Sequence, residues 1–251
     1  MLKKFCFAVL YLTFFYINIG IAQTSIEELK QAYAKNSGGS KENCLLKIIT
    51  SEAKNYPDNQ RIQQIILIRH GEPLLPKDGL FTSYMAQEYS RLYDEVEVMD
   101  FEQRPVCLEN LDLDTIYASN LVRAKNTAQK IIENRNIHLQ SEKLFREFER
   151  EILPVPFIRL PLNFWLVFSR LMWYARLNTS NIEGYDMAKK RIAYAAKFLE
   201  YKSNKNDLTL LVAHGMFNKS LAAELKKRGW TLVYSNGLGY LNVRVLAKQT
   251  E

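Results

Sequence analysis

Beyond about residue 60 the chain alternates between short apolar runs and longer stretches of helical periodicity. Ile65-Ile66-Leu67-Ile68 is a continuous aliphatic run, the pattern of a strand buried on both faces. Thr115-Ile116-Tyr117-Ala118 and Leu208 to Ala213 predict further strands, Ile137-His138-Leu139 a short one, and Tyr240 to Leu246 a final strand at the sheet edge. Between them, residues 83–97, Leu121 to Glu133, 185–201 and Asn218 to Arg228 carry the spacing of helices. Strand–helix alternation of this kind predicts an α/β fold, a three-layer α/β/α sandwich with a mostly parallel sheet.

Two segments stand outside that alternation. Residues 152–177 are rich in aromatics and arginines and contain no acid; they fall where only a crossover is needed, which predicts an inserted helical cap over 152–182. Residues 23–60 read as a helical N-terminal extension. Ser25 with Glu28 forms a capping-box pattern, Ser37-Gly38-Gly39-Ser40 interrupts it, and Leu45 to Lys54 resumes a helix-like pattern before Pro57. The main domain is then 61–251.

The first 22 residues have the order of a secretory signal: Lys3-Lys4, an apolar run from Phe5 to Ile21, and small residues before Gln23. Cleavage there predicts a periplasmic protein. The run is also close to the length that spans a bilayer, so an uncleaved anchor is the competing expectation. Either way the body lies across a membrane, away from cytosolic metabolism.

Composition narrows the field modestly. The formal charge is +7, two of it from the N-terminal lysines, and the remaining bases are dispersed along the chain. No concentrated basic stripe or nucleic-acid module is present, so anionic small molecules or an anionic membrane face are the expected partners, not nucleic acid. Past residue 22, Cys44 and Cys107 remain, either one disulfide or two buried thiols; they are too few for a zinc cluster.

The chemistry gathers at strand ends. His70 follows the first strand in Arg69-His70-Gly71, and His214 follows a later one in Ala213-His214-Gly215. Ligands of open parallel sheets bind just beyond the carboxyl ends of the strands. A glycine behind each histidine permits a sharp turn and close approach of an anion. Arg69 offers a planar fork of donors to phosphate oxygens, and Arg123 sits near a helix N-terminus, where anions are favoured. These residues suit phosphoryl transfer through a neutral imidazole, with arginines and a second histidine supplying the charge and no metal or cofactor required. His138 matches no such pattern and reads as structural, and Glu183-Gly184 as a helix cap.

The ordered set of Arg69-His70-Gly71, Ser119-Asn120-Leu121-Val122-Arg123-Ala124-Lys125-Asn126-Thr127-Ala128 and His214-Gly215 resembles the histidine phosphatase superfamily, in its phosphoglycerate mutase-like branch. The resemblance covers roughly residues 62–247. It implies that His70 becomes phosphorylated, that Arg69, Arg123 and His214 hold the phosphoryl oxygens, and that a glutamate after the third strand protonates the leaving oxygen. The Leu-x-Glu pattern points to Glu147, but the glycine and aromatic that normally follow are replaced by Phe148-Glu149-Arg150-Glu151, so Glu149 and Glu151 stay open as the donor. The acid phosphatase and phytase branch fits neither Glu72-Pro73 nor His214-Gly215.

The expected reaction is hydrolysis of a phosphate monoester or pyrophosphate. The alternatives are a phosphomutase, disfavoured by export, and a non-catalytic phospho-ligand or membrane-binding module. Gly-x-Ser-x-Gly and His-Glu-x-x-His are both missing, which disfavours serine and zinc hydrolases. Phe164, Trp165, Phe168, Trp173 and Tyr174 among Arg159, Arg170 and Arg176 fit either a packed cap or a peripheral membrane contact through 152–177, the latter pointing to a lipid-linked substrate.

Overall fold

The computed structural model describes residues 26–35, 44–49, 61–109, 111–177 and 181–250. The segment read as a signal lies outside them. Among the described residues no helix is long and apolar enough to cross a membrane.

A six-stranded sheet organises the domain. Its strands are β1 (Arg61–Arg69), β3 (Thr115–Ser119), β4 (His138–Glu142), β6 (Leu208–Ala213), β7 (Thr231–Ser235) and β8 (Val243–Thr250), ordered β4-β3-β6-β1-β8-β7. The first four in that order run parallel, and β8 is antiparallel to β1. A two-stranded ribbon of β2 (Leu80–Phe81) and β5 (Leu160–Pro161) lies apart. β1 explains the layering by its own alternation: Ile62, Ile66 and Ile68 point to one face and Ile65 and Leu67 to the other, all buried.

The first face packs against helix 26–35 (α1) and α3 (Val122–Ile132), through Leu29, Tyr33, Ala124, Ala128 and Ile131. The second packs against α5 (Tyr185–Asn206) and α6 (Gly215–Lys227), through Ile192, Ala195, Leu199, Phe217 and Leu221. Each such large aliphatic side chain withdrawn from water contributes about 1.5–3 kcal/mol. The sandwich has the three layers expected of it.

The structure corrects two details. The last strand is not an edge: β8 is hydrogen-bonded to β1 on one side and to β7 on the other, and Tyr240 precedes it in a turn. The true edge beyond it, β7, buries only Val233 fully, too little for an apolar run to announce it. Residues 44–49 are also extended, not helical, and bridge in parallel to Arg104 and Cys107. A disulfide between Cys44 and Cys107 pins them there, which resolves the choice left open for these cysteines. Tyr33 seals the same seam, donating its hydroxyl to Gln64 Oε1 at 2.6 Å while Ile49 N–H donates to the Tyr33 oxygen at 3.2 Å.

The cap is helical only in part. Residues 152–159 are irregular, and α4 (Leu162–Tyr174) follows the ribbon strand β5. α4 buries Leu162, Trp165, Ser169, Arg170 and Trp173 on one side; Trp165 Nε1 donates to Phe81 O at 2.7 Å, and Trp173 Nε1 to Glu183 O at 2.7 Å. Asn163 and Leu166, on an edge of the same helix, reach the cavity described next.

Candidate active site

The parallel strands deliver their ends to one edge of the sheet. His70 lies just past β1, Ser119 closes β3, Glu147 follows β4 by a single 3₁₀ turn (Lys143–Phe145), and His214 lies just past β6. A cavity of about 450 Å³ opens there, lined by Arg69, His70, Arg123 and Glu147 among others. His214 is wholly buried, its ring centroid 5.1 Å from that of His70. All five residues singled out from the sequence are therefore gathered in one place.

A hydrogen bond fixes the proton of the His70 imidazole, and His214 is held by a serine. His70 Nδ1 lies 2.7 Å from the carbonyl oxygen of Gly71. A carbonyl only accepts, so the proton sits on Nδ1 and Nε2 keeps its lone pair. Ser119 Oγ accepts the Leu121 N–H at 3.3 Å and lies 2.8 Å from His214 Nε2. The other ring nitrogen of His214, Nδ1, is buried without a protein partner. Burial, reinforced by the charge of Arg123, holds both histidines well below their ordinary value of 6.5, so both are neutral at physiological pH.

The arginines are held by their own sets of contacts. Arg123 is buried in the first turn of α3; its Nη1 donates to Tyr93 O at 2.6 Å and Asp94 Oδ1 at 2.8 Å, and the guanidinium lies 4.5 Å from the Tyr93 ring centroid. Arg69 Nη1 donates to Leu238 O at 2.6 Å, and Tyr240 stacks on it at 4.5 Å. Each keeps a buried Nε with no hydrogen-bond partner. Gly215 leaves room for Arg69: a Cβ there would stand 3.3 Å from Arg69 Nε, and the guanidinium would have to shift by a few tenths of an ångström. The glycine after His70 acts differently from expectation, because its N–H is spent on Thr127 Oγ1 at 2.9 Å and ties the loop to α3.

Geometry separates the three candidate acids. Glu147 is the acidic residue in the cavity lining. It accepts the N–H groups of Phe148 and Phe217 on Oε1, each at 3.1 Å, and that of Met216 on Oε2 at 3.2 Å, so its carboxylate caps the start of α6. Glu149 Oε2 instead accepts Glu183 N–H at 2.8 Å, and Glu151 Oε1 accepts Asn181 Nδ2 at 2.7 Å. His138, read as structural, is an exposed residue of β4, and Gly184 is the N-cap of α5.

Sequence reading missed Tyr93, Asp94, Arg150, Tyr240 and Arg244. Tyr93 and Asp94 end helix α2 (Ser83–Glu95), and Tyr240 lies in a turn, so no spacing within one element could reveal them. Together the residues form an electropositive pocket around one neutral, correctly tautomerised imidazole, an arrangement able to bind a phosphoryl group and accept it on nitrogen.

The family model described as histidine phosphatase superfamily (branch 1) matches residues 65–250. Among solved structures the chain is similar to a phosphoglycerate mutase from Bacillus anthracis, at 18% identity over 76% of this chain and 89% of that one, with a TM-score of 0.47. It is similar to a mycobacterial glucosyl-3-phosphoglycerate phosphatase at 18% identity over 74% and 91%, TM-score 0.45. An alpha-ribazole phosphatase from Shigella flexneri aligns at 20% identity over 64% and 79%, TM-score 0.42. No curated protein matches the chain.

Proposed function

Because the chain belongs to branch 1 of the histidine phosphatase superfamily, we propose that it is a phosphatase that hydrolyses a phosphate monoester or pyrophosphate through a phosphohistidine at His70. The observation that carries the reading is the His70 tautomer: Nδ1–H is committed to Gly71 O, which leaves Nε2 as the nucleophile at the cavity. In the first step Nε2 bonds to phosphorus, the ester P–O bond breaks, and the leaving oxygen takes the proton of Glu147, which enters the step as the carboxylic acid and leaves it as the carboxylate. In the second, water bonds to phosphorus, its proton passes to Glu147, and the P–N bond breaks to release phosphate and regenerate the imidazole. Arg69 and Arg123, with His214, balance the charge on the equatorial oxygens.

Turnover of a generic aryl phosphate by purified residues 23–251 in the presence of chelator, compared with His70→Ala, tests this. Metal-independent activity that vanishes in the variant is the expected result. Two folded but inactive proteins would sink the reading in favour of a mutase or a binding module.

The same reading places the enzyme outside the cytosol, at a membrane, with a lipid-linked phosphate as substrate. Support comes from the signal-like residues 1–22, from the disulfide, which suits an oxidising compartment, and from the outer face of α4. On that face Phe164, Val167, Phe168, Leu171 and Tyr174 are exposed beside the cavity-lining residues Leu162, Asn163 and Leu166.

A further inference from the structure

The cavity holds more positive charge than one phosphoryl group uses. Beyond Arg69 and Arg123, its lining includes Lys77, Arg150, Lys219 and Arg244, against the single carboxylate of Glu147. That carboxylate is already engaged by three backbone N–H groups. At about 450 Å³ the cavity also has room for a substantial group next to the phosphoryl.

Arg150 is the lining cation least engaged by the protein itself. Its Nε is buried without a hydrogen-bond partner, and among the described residues no hydrogen bond or ion pair ends on its guanidinium. Burial and the neighbouring Arg170 push it down to about 10, only partly offset by Glu147. Arg170 donates Nη1 to the carbonyl of Glu149 and Nη2 to that of Phe148, while its Nε also lacks a partner. The Arg150 side chain is only partly exposed, and its buried Nε lacks the acceptor that an arriving anion supplies. Arg244, only 7% exposed, adds a buried cation and makes one long bond, 3.3 Å to Gly237 O. Lys219 and Lys77 are exposed at the rim.

We propose that Arg150, with Lys77, Lys219 and Arg244, forms a second anion subsite, so that the substrate carries a phosphate or carboxylate beside the phosphoryl group that is transferred. This rests on the reading of His70 as the phosphoryl acceptor and deepens it. The planar fork of Arg150 suits bidentate contact with either anion, and the lysines add point charge without fixed geometry.

Binding to the full chain, read by titration calorimetry, tests the subsite without turnover. The probes are inorganic phosphate, methylenediphosphonate and phosphonoacetate, the last two carrying a second anion on a bond that cannot be hydrolysed. The expected result is a preference of about 100-fold for at least one two-anion probe over phosphate, falling about tenfold in Arg150→Met and severalfold in Lys219→Met. Lys219 is exposed, so its variant keeps the test intact if Arg150→Met does not fold. Equal affinity for all three probes, a preference unchanged in both variants, or no binding of any probe overturns the proposal. Two-anion preference without hydrolysis of any phosphate ester would defeat the phosphatase reading and keep the subsite; hydrolysis without the preference would do the reverse.

Discussion

Glu147 and Phe217 are joined across the site: the carboxylate Oε1 accepts the Phe217 backbone N–H at 3.1 Å, fixing a side chain from beyond β4 to the first turn of α6. That turn begins at His214, its N-cap, so the candidate proton donor is tied to the helix that starts from the second histidine. Glu147→Gln should therefore lower kcat/KM by about 10²–10⁴-fold for alkyl phosphates, whose leaving oxygen needs a proton, and much less for nitrophenyl phosphate. The amide also loses one of the accepted bonds, at about 1 kcal/mol of stability. Glu149→Gln and Glu151→Gln, bonded instead to Glu183 and Asn181, should stay within about threefold of the parent. Kinetics across a series of leaving groups decides the matter; an equal loss in Glu149→Gln would move the donor there.

Acid should destabilise the fold through its two site histidines. His70 and His214 are held well below 6.5 by burial and by Arg123, whereas in the unfolded chain they titrate near 6.5. Above that pH neither state binds the proton and stability does not respond. Below it the unfolded chain takes up protons the native state refuses, so stability falls as pH falls. The slope is up to about 1.4 kcal/mol per pH unit for each histidine until the native values are reached. Urea unfolding at several pH values from 7.5 down to 5 should show this decline, with about half the slope in His214→Asn. A flat profile would mean that the histidines are protonated natively.

What could be read from the sequence follows from how locally each feature is encoded. β1 and β6 are apolar on both faces, so an unbroken run of Ile, Leu and Val marks them without knowledge of their neighbours. β7 has one fully buried residue, and β8 trails into Lys248-Gln249-Thr250, so their places depend on pairing that only the folded sheet supplies. The site divides in the same way. Arg69, His70, Arg123 and His214 sit at strand ends or helix starts with glycines or small residues beside them, and their spacing is local. Arg150, Tyr240 and Arg244 come from a loop, a turn and an antiparallel strand, and converge only in three dimensions. Choosing Glu147 over Glu149 and Glu151 likewise needed the helix that its carboxylate caps.

The disulfide should be a large part of what retains the N-terminal segment. Cys44 and Cys107 are 63 residues apart in sequence, and cross-linking a loop of that size stabilises by about 4 kcal/mol in the chain-entropy account. Without it, residues 44–49 keep two isolated bridges, the bonds of Ile49 to Tyr33 and Gln64, and their own buried side chains Leu46 and Ile48. Paired Cys44→Ser and Cys107→Ser should lower the urea midpoint markedly, and reductant should reproduce that shift in the parent. An unchanged midpoint would show that packing alone holds the segment.

The outer face of α4 makes the last prediction. Phe164, Val167, Phe168, Leu171 and Tyr174 recur at helical spacing and are 38–60% exposed, while the opposite side of the helix is packed. Just before the helix, Phe157 is fully exposed and holds a left-handed backbone, φ 62°, a conformation that costs about 1–3 kcal/mol in a residue of its size. The cap bears Arg159 and no acid from Ile152 to Leu177, while Arg176 is paired with Asp186; the surplus positive charge favours an anionic bilayer as the surface that covers it. Residues 23–251 should sediment with vesicles containing phosphatidylglycerol and much less with purely zwitterionic ones. Phe164→Ser with Leu171→Ser should cut the bound fraction at least about tenfold, since each side chain contributes on the order of 1.5–3 kcal/mol when fully buried. A parent that stays in the supernatant and elutes as a dimer, with the double variant monomeric, would assign the face to a second copy of the chain and remove the membrane from the proposal.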